Sequence, residues 1–161
     1  ASDWSSDVCS SDLDKGKDLN GNASVLDPTA CEIIVRMFMP TNGKSVYNPF
    51  GGGVQMGFVS GGCGYEYLSS EIRQNQCDAN NAICQDFKNV KWHKSDTSKF
   101  TPDKKYDLIF SCPPYYKVEK YIDYDGKSPD GELNSLPTYE VFRDMLFEGY
   151  KNAINAMNDN T

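Results

Sequence analysis

The feature that most constrains this chain is an apolar run, Leu108-Ile109-Phe110, that leads directly into Ser111-Cys112-Pro113-Pro114-Tyr115. Such a run is typical of a strand buried on both faces of a sheet. The two prolines lack amide donors and hold φ at about −65°, so the chain must leave the sheet there. The sequence therefore predicts a rigid corner at the carboxyl end of a central strand.

This corner has the chemistry of a binding site for a planar group. In open α/β sheets, ligands bind along the edge formed by the carboxyl ends of the strands. Backbone carbonyls at the corner can accept hydrogen bonds from an amine while the ring of Tyr115 stacks on its face. The alternative is an ordinary proline-rich loop after a core strand, so the other strand ends must be considered.

Strand and helix patterns alternate along the chain, which is short enough to form at most one domain. This alternation predicts an α/β fold with a mostly parallel sheet and helices on both faces. The segment 121–136 is acidic and rich in turn residues, so we expect a loop there. The predicted strands are 45–47, 65–71, 90–92 and 108–110, and the predicted helices are 28–40, 54–60, 74–87 and 138–157.

Two of these helices have clear apolar faces. Asp27 is the predicted N-cap of the first helix, and Pro28 occupies its first position. Apolar residues at helical spacing indicate which side of each helix packs inward. The predicted inner residues are Cys31, Ile33, Ile34, Met37 and Phe38 in the first helix and Val141, Met145, Leu146, Tyr150 and Ile154 in the last.

The amino-terminal residues do not fit this pattern. Residues 3–13 resemble the in-frame translation of a sequencing adapter, so we interpret 1–13 as a non-native tail and the polar segment 14–23 as a linker. The chain stops after its last predicted helix, where a doubly wound sheet needs further strands. We therefore expect a partial domain, residues 24–161, that is cut at both ends.

Composition excludes several classes of protein. The six cysteines lack Cys-x-x-Cys spacing and His93 is the only histidine, so we expect neither a metal site nor a disulfide framework. A reducing cytoplasm fits this cysteine usage best. No run of apolar residues is long enough for a membrane span. The net charge of −7 argues against tight nucleic-acid binding by this piece alone.

Three further strand ends carry residues that suit a nucleoside-bearing cofactor. The glycine-rich turn 48–53 leaves amide groups free at a helix start, which suits a carboxylate or phosphate. Glu71 ends the second strand, where a carboxylate can accept from both hydroxyls of a ribose. Asp96 follows the third strand and could accept from an adenine amino group. Each feature alone has a structural alternative, but all fall on the same sheet edge as the corner at Pro113.

With these motifs, the chain resembles the S-adenosylmethionine-dependent DNA amino-methyltransferases, and most of all the phage-type DNA modification methylases. The similarity covers roughly residues 24–157. Asn48-Pro49-Phe50-Gly51-Gly52-Gly53 resembles the family's Asp-Pro-Phe-x-Gly-x-Gly loop. Cys112-Pro113-Pro114-Tyr115 stands where the family has Asp, Asn or Ser before Pro-Pro-Tyr.

The resemblance implies a Rossmann-like methyltransferase fold, S-adenosylmethionine as cofactor and DNA as partner, with the target base flipped out of the duplex. The methyl group would go to N6 of adenine or N4 of cytosine. Residues 24–161 would then be a partial catalytic domain. The implied catalytic residues are Cys112, Pro113, Pro114 and Tyr115, and the implied cofactor-binding residues are Asp27, Asn48, Pro49, Phe50, Gly51, Gly53, Glu71 and Asp96.

Two departures from the family pattern affect these expectations. Asn48 in place of Asp removes a charge beside the cofactor's amino group, and Cys112 is a weaker hydrogen-bond acceptor than the usual residue. Contact with the target amine would then fall mainly to the Pro113 carbonyl. Two alternatives stay open: a methyltransferase of the same fold acting on RNA guanine or protein glutamine, and a non-catalytic nucleotide-binding module.

Overall fold

The computed structural model describes residues 25–118 and 121–159. The predicted tail and linker, residues 1–23, lie outside this part of the chain. Helices and strands alternate as predicted, with a single 3-10 turn in the acidic segment. The elements are α1 (Pro28–Phe38), β1 (Ser45–Asn48), α2 (Gln55–Gly62), β2 (Glu66–Glu71), α3 (Gln74–Ile83), β3 (Val90–Lys94), β4 (Leu108–Ile109), the 3-10 turn (Leu133–Ser135) and α4 (Tyr139–Asn155).

The four strands form one parallel sheet in the order β3-β2-β1-β4. Val46 at the centre is in register with Tyr67 of β2 and Leu108 of β4, and Tyr67 is in register with Val90 of β3. Because every pair is parallel, all four strands end at the same edge of the sheet. The predicted α/β fold with a mostly parallel sheet is confirmed.

Successive residues of the strands face two different cores. One core lies between the sheet and helices α1, α2 and α3. It includes the rings of Tyr67 and Trp92, which are tilted by 52° with centroids 5.0 Å apart. The other core lies under α4, where Tyr47 packs with Tyr106 and Ala153. Helices therefore cover both faces of the sheet, as the sequence predicts.

The prediction of a central fourth strand buried on both faces is wrong for this part of the chain. β4 lies at the edge of the sheet, spans two residues, and leaves both Leu108 and Ile109 only half-buried. The Phe110 amide still donates to the carbonyl of Tyr47 at 3.2 Å. Pro113 and Pro114 have no amide hydrogen, so the ladder cannot continue through the corner, but the strand already ends at Ile109, before Ser111 and Cys112.

The predicted inner face of α1 is also partly wrong. Cys31 and Val35 are buried, whereas Ile33, Met37 and Phe38 are at least half exposed. Only the stripe that meets α2 is covered among the described residues, so apolar spacing alone assigned too wide a face.

The predicted inner face of α4 is partly wrong: Met145, Leu146 and Tyr150 are half-buried, but other predicted residues are not. Phe142, Gly149 and Ala153 are buried, whereas Val141 and Ile154 are exposed. The two small residues let the helix approach the sheet closely: a Cβ at Gly149 would lie 3.0 Å from the ring of Phe50. The prediction weighted large apolar side chains and therefore missed a contact that depends on small ones.

Candidate active site

The glycine-rich turn after β1 packs directly against the end of β2. The Gly51 amide donates to the carbonyl of Ser70 at 2.7 Å. A Cβ at Gly51 would lie 2.5 Å from Ser69 Oγ and 2.9 Å from the Ser70 carbonyl oxygen, so a larger residue cannot fit without movement. Glycine is required here because the two backbones approach each other closely. This contact fixes the position of the turn relative to the end of β2.

The side chain of Asn48 hydrogen-bonds to this turn from the protein interior. Its Oδ1 accepts from the Phe50 amide at 3.1 Å and from Ser111 Oγ at 2.7 Å, and its Nδ2 donates to the Tyr67 hydroxyl at 3.1 Å. Burial raises the pKa of Tyr67, which therefore stays a neutral phenol. Asn48 is buried with both ends of its amide engaged, so it links the turn to the end of β4 and does not face the cleft.

At the end of β2, Glu71 forms a buried ion pair with Arg73. Glu71 Oε1 lies 3.0 Å from Arg73 Nε, and its Oε2 accepts from the Gly52 amide at 2.8 Å. Both side chains are almost fully buried. These contacts fix the carboxylate against the glycine turn, with remaining lone pairs for a ligand's hydroxyl groups.

At the end of β3, Asp96 lies in a turn of hydroxyl-bearing residues. Its Oδ1 accepts from the Ser98 amide at 3.0 Å and from Ser98 Oγ at 2.7 Å, and Lys99 Nζ lies 2.9 Å from Oδ2. Burial alone would raise the pKa of Asp96, but the bonds from Ser98 and Lys99 hold it below its ordinary value. Asp96 is therefore a carboxylate at neutral pH.

The corner after β4 is fastened at one side and open at the other. Ser111 bonds to Asn48, and the Tyr116 hydroxyl donates to the Pro137 carbonyl at 3.2 Å while its ring contacts Tyr139 and Phe142. Between these anchors Cys112 is exposed, and Tyr115 exposes 56% of its surface. The corner thus presents an aromatic ring to solvent from a fixed backbone.

The acidic segment 121–136 folds over the cleft from the side of α3. The two Asp123 oxygens accept from the Gln74 and Asn75 amides, both at 3.0 Å, so Asp123 caps α3 from a distant point in the sequence. The guanidinium of Arg73 lies 4.9 Å from the centre of the Tyr121 ring. We call residues 121–136 the cover segment.

These parts line one cleft along the carboxyl edge of the sheet, which opens to solvent and has a cavity volume of about 100 Å³. This volume is smaller than the roughly 300–1,000 Å³ typical of small-molecule sites. The sequence-predicted residues that line it are Pro49, Phe50, Gly51, Glu71, Asp96, Cys112 and Pro114.

The other predicted residues lie elsewhere. Asp27 uses its carboxylate to cap α1, accepting from Thr29 and Ala30, and does not line the cleft. Gly53, Pro113 and Tyr115 also lie outside the lining, with Pro113 and Tyr115 beside it on the corner. Most of the predicted residues therefore converge, and the exposed ring of Tyr115 stands at the rim.

Several lining residues were missed by sequence reasoning. They include Arg73, Tyr121, Glu132, Leu133 and Met145; Tyr121, Glu132 and Leu133 belong to the cover segment. The acidic, turn-rich composition of that segment predicted a loop but gave no sign that it folds back onto β2 and β3. Only the Glu71-x-Arg73 spacing at a strand end could have suggested the buried ion pair.

No helix in residues 25–118 or 121–159 is long and apolar enough to cross a membrane. Within the same residues no group of three or more His, Cys, Asp or Glu side chains could hold a metal ion.

Comparison with solved structures identifies the fold. The CcbJ methyltransferase from Streptomyces caelestis matches 88% of this chain and 51% of its own, with a TM-score of 0.56 and 12% identity. A SAM-dependent O-methyltransferase from Thermotoga maritima matches 84% of this chain and 52% of its own, with a TM-score of 0.47 and 17% identity. The chain spans about half the length of either protein.

A scan against protein-family models gave no match, and neither did a search of the curated proteins. The fold is nevertheless defined: the chain has the Rossmann-like α/β architecture of the S-adenosylmethionine-dependent methyltransferases.

Proposed function

We propose that this chain belongs to an enzyme that transfers a methyl group from S-adenosylmethionine to an exocyclic amine in DNA, N6 of adenine or N4 of cytosine. The observation that carries the proposal is the cleft itself. Gly51, Glu71 and Asp96 line the same cleft as Cys112 and Pro114. A cofactor site and a corner suited to an amine are thus adjacent on a methyltransferase fold.

The residues present fit the proposed cofactor. Glu71 is held with its carboxylate at the cleft wall, where it can accept from ribose hydroxyls. Ile72 adds an apolar surface for the adenine ring beside Asp96. The glycine turn forms part of the cleft wall and is held against the end of β2, because no Cβ fits at Gly51. Asn48, being buried and internally bonded, would act on the cofactor only through the turn it holds.

The bound cofactor supplies an electrophilic methyl group on a sulfonium. The chain's own residues bind and align the acceptor. The exocyclic amine is a poor nucleophile because its lone pair is delocalised into the ring. The Pro113 carbonyl, with Cys112 as a weaker acceptor, would draw its N–H bonds out of the ring plane and so localise that lone pair on nitrogen.

The exposed ring of Tyr115 has a role in this scheme. A base inside a duplex cannot reach the cleft, so it must be flipped out at the cost of its stacking. Tyr115 would stack on the extruded base at the rim and offset part of that cost. Its neighbour Tyr116 holds the backbone in place through the contacts with Tyr139 and Phe142.

Mass spectrometry of nucleosides tests the proposal. Unmethylated DNA is incubated with the chain and S-adenosylmethionine, then digested to nucleosides. We expect N6-methyladenine or N4-methylcytosine above the level obtained with a Pro113→Gly variant. Glycine keeps the carbonyl but not the fixed backbone, so methylation that is equal in the two proteins would contradict the need for a rigid corner. No methylated amine at all would contradict the proposed acceptor chemistry.

A second candidate keeps the fold and cofactor but changes the acceptor to RNA guanine or a protein glutamine. The net charge of −7 favours the protein substrate in this candidate, because the phosphates of DNA and RNA alike need a basic surface. The same assay with RNA and with a protein extract as substrates separates the two. Methylated guanine or methylated glutamine, without methylated DNA amines, would select this candidate.

A further inference from the structure

Glu132 of the cover segment is a buried carboxylate with an unused acceptor in the wall of the cleft. It is 3% exposed and lines the cleft together with Leu133. Its Oε1 accepts from the Tyr121 amide at 3.1 Å. Its Oε2 has no hydrogen-bond partner among the described residues. A buried carboxylate oxygen without a donor is costly, so a ligand donor at this point would be strongly favoured.

The position of Glu132 indicates which part of a ligand it meets. The adjacent Gly131 lies against the carboxylate of Asp96 and the side chain of Ile72: a Cβ there would be 3.2 Å from Asp96 Oδ2 and 3.5 Å from Ile72 Cδ1. Both neighbours belong to the β2 and β3 ends of the cleft. The corner at Cys112 follows β4, two strands away from β2 in the sheet.

The neighbouring carboxylate, Asp96, differs from Glu132 in its surroundings. Its Oδ1 accepts two bonds from Ser98. Its Oδ2, like Glu132 Oε2, has no hydrogen-bond partner among the described residues, but the Lys99 ammonium lies 2.9 Å from it. Glu132 Oε2 has no such cation beside it in the part of the chain that the structure describes, so an incoming N–H group does not have to compete with an ion pair there.

We propose that Glu132 is a specificity-determining residue that accepts a hydrogen bond from the adenine amino group of the cofactor. The inference rests on the proposed function, since it assumes a nucleoside in this end of the cleft. Ile72 and Leu133 line the cleft beside it and provide apolar surface for the planar ring. The cover segment thereby selects an amino-bearing base over one with a carbonyl oxygen at that position.

Calorimetric titration with two ligands tests this. One is S-adenosylhomocysteine, and the other is S-inosylhomocysteine, in which a carbonyl oxygen replaces the amino group. We expect the unaltered chain to bind the adenine compound about tenfold more tightly, the effect of one charge-assisted hydrogen bond. Glu132→Gln should reduce that preference below about twofold, because its amide can also donate to the carbonyl.

Glu148→Gln is the matched control, since Glu148 lies on the exposed side of α4 and should leave the preference unchanged. If Glu132→Gln shows no cooperative unfolding and so is not folded, Glu132→Ala provides the second test. A preference retained in both Glu132 variants, or absent from the unaltered chain, overturns the role of Glu132 while leaving cofactor binding intact. No binding of either compound to the unaltered chain overturns the proposed function as well.

Discussion

The two ends of the cleft are built in different ways. At the β1 and β2 ends, Gly51, Glu71 and Arg73 are buried and joined by hydrogen bonds or an ion pair. At the β4 end, Cys112 and Tyr115 are exposed on a corner that Ser111 and Tyr116 hold in place. The first end is closed and preorganised, and the second is open to solvent.

This difference matches the two ligands of the proposed reaction. A small cofactor benefits from a preformed, desolvated site, because little ordering remains when it binds. A base attached to a polymer must enter from outside, so its contact residues have to be exposed before it arrives. Changes at the closed end should therefore lower stability and cofactor binding, whereas changes at the open end should affect methyl transfer alone.

The largest effect is expected from Arg73→Ala. It leaves the buried carboxylate of Glu71 without its cationic partner, which should lower the free energy of unfolding by roughly 3–5 kcal/mol. Urea unfolding measures it. Arg36→Ala is the control, since its ion pair with Glu32 is exposed and should contribute little. Similar losses in the two variants would contradict a preorganised closed end.

Gly51→Ala should have the next largest effect. The added methyl group meets Ser69 Oγ and the Ser70 carbonyl, so we expect a loss of roughly 1–3 kcal/mol in stability together with weaker S-adenosylhomocysteine binding. Gly53→Ala is the matched control, because its Cβ would meet only the flexible end of Gln55. Equal binding by both variants would show that the Gly51 contact does not shape the site.

At the open end, Tyr115→Ala should separate activity from stability. We expect unfolding to change by less than about 0.5 kcal/mol, because the ring is exposed. Loss of base stacking should lower kcat/KM for DNA by roughly 5- to 150-fold, equivalent to about 1–3 kcal/mol. Tyr116→Ala should instead destabilise the chain by roughly 1 kcal/mol, since it removes ring contacts with Tyr139 and Phe142. The reverse pattern would assign the exposed ring a structural role.

The smallest effect concerns acid stability at the closed end. Asp96 has a pKa below its ordinary value of 3.8, so its contribution is present above that value and disappears as the pH falls through the native pKa. Below about pH 4, the free energy of unfolding should fall less steeply in Asp96→Asn than in the unaltered chain. Urea unfolding at a series of pH values measures it. Asp86→Asn, at an exposed position, controls for removing one carboxylate. An unchanged acid profile in Asp96→Asn would contradict the described contacts.

Sequence reasoning reached the fold because the fold depends on local patterns. Alternating strand and helix signals gave the order of elements, and parallel strands necessarily end at one edge, which brought Gly51, Glu71, Asp96 and Cys112 together. The Asp27-Pro28 start of α1 followed from capping chemistry, and the structure confirms it.

The features that could not be predicted from the sequence depend on contacts between residues far apart in the chain. Tyr121 and Asp123 meet Arg73 and α3 across about fifty residues, and no local pattern encodes that return. The buried side of α4 depends on Gly149, whose small size matters only because Phe50 lies opposite. Whether Glu132 Oε2 has a hydrogen-bond partner depends on the positions of its neighbours in the fold, which the sequence does not give.

Calorimetric titration of S-adenosylhomocysteine into the unaltered chain, Glu71→Ala and Tyr115→Ala tests the central claim most directly. We expect saturable binding of one ligand per chain, lost in Glu71→Ala and unchanged in Tyr115→Ala. Absence of binding to the unaltered chain, or binding that survives in Glu71→Ala and disappears in Tyr115→Ala, would contradict it.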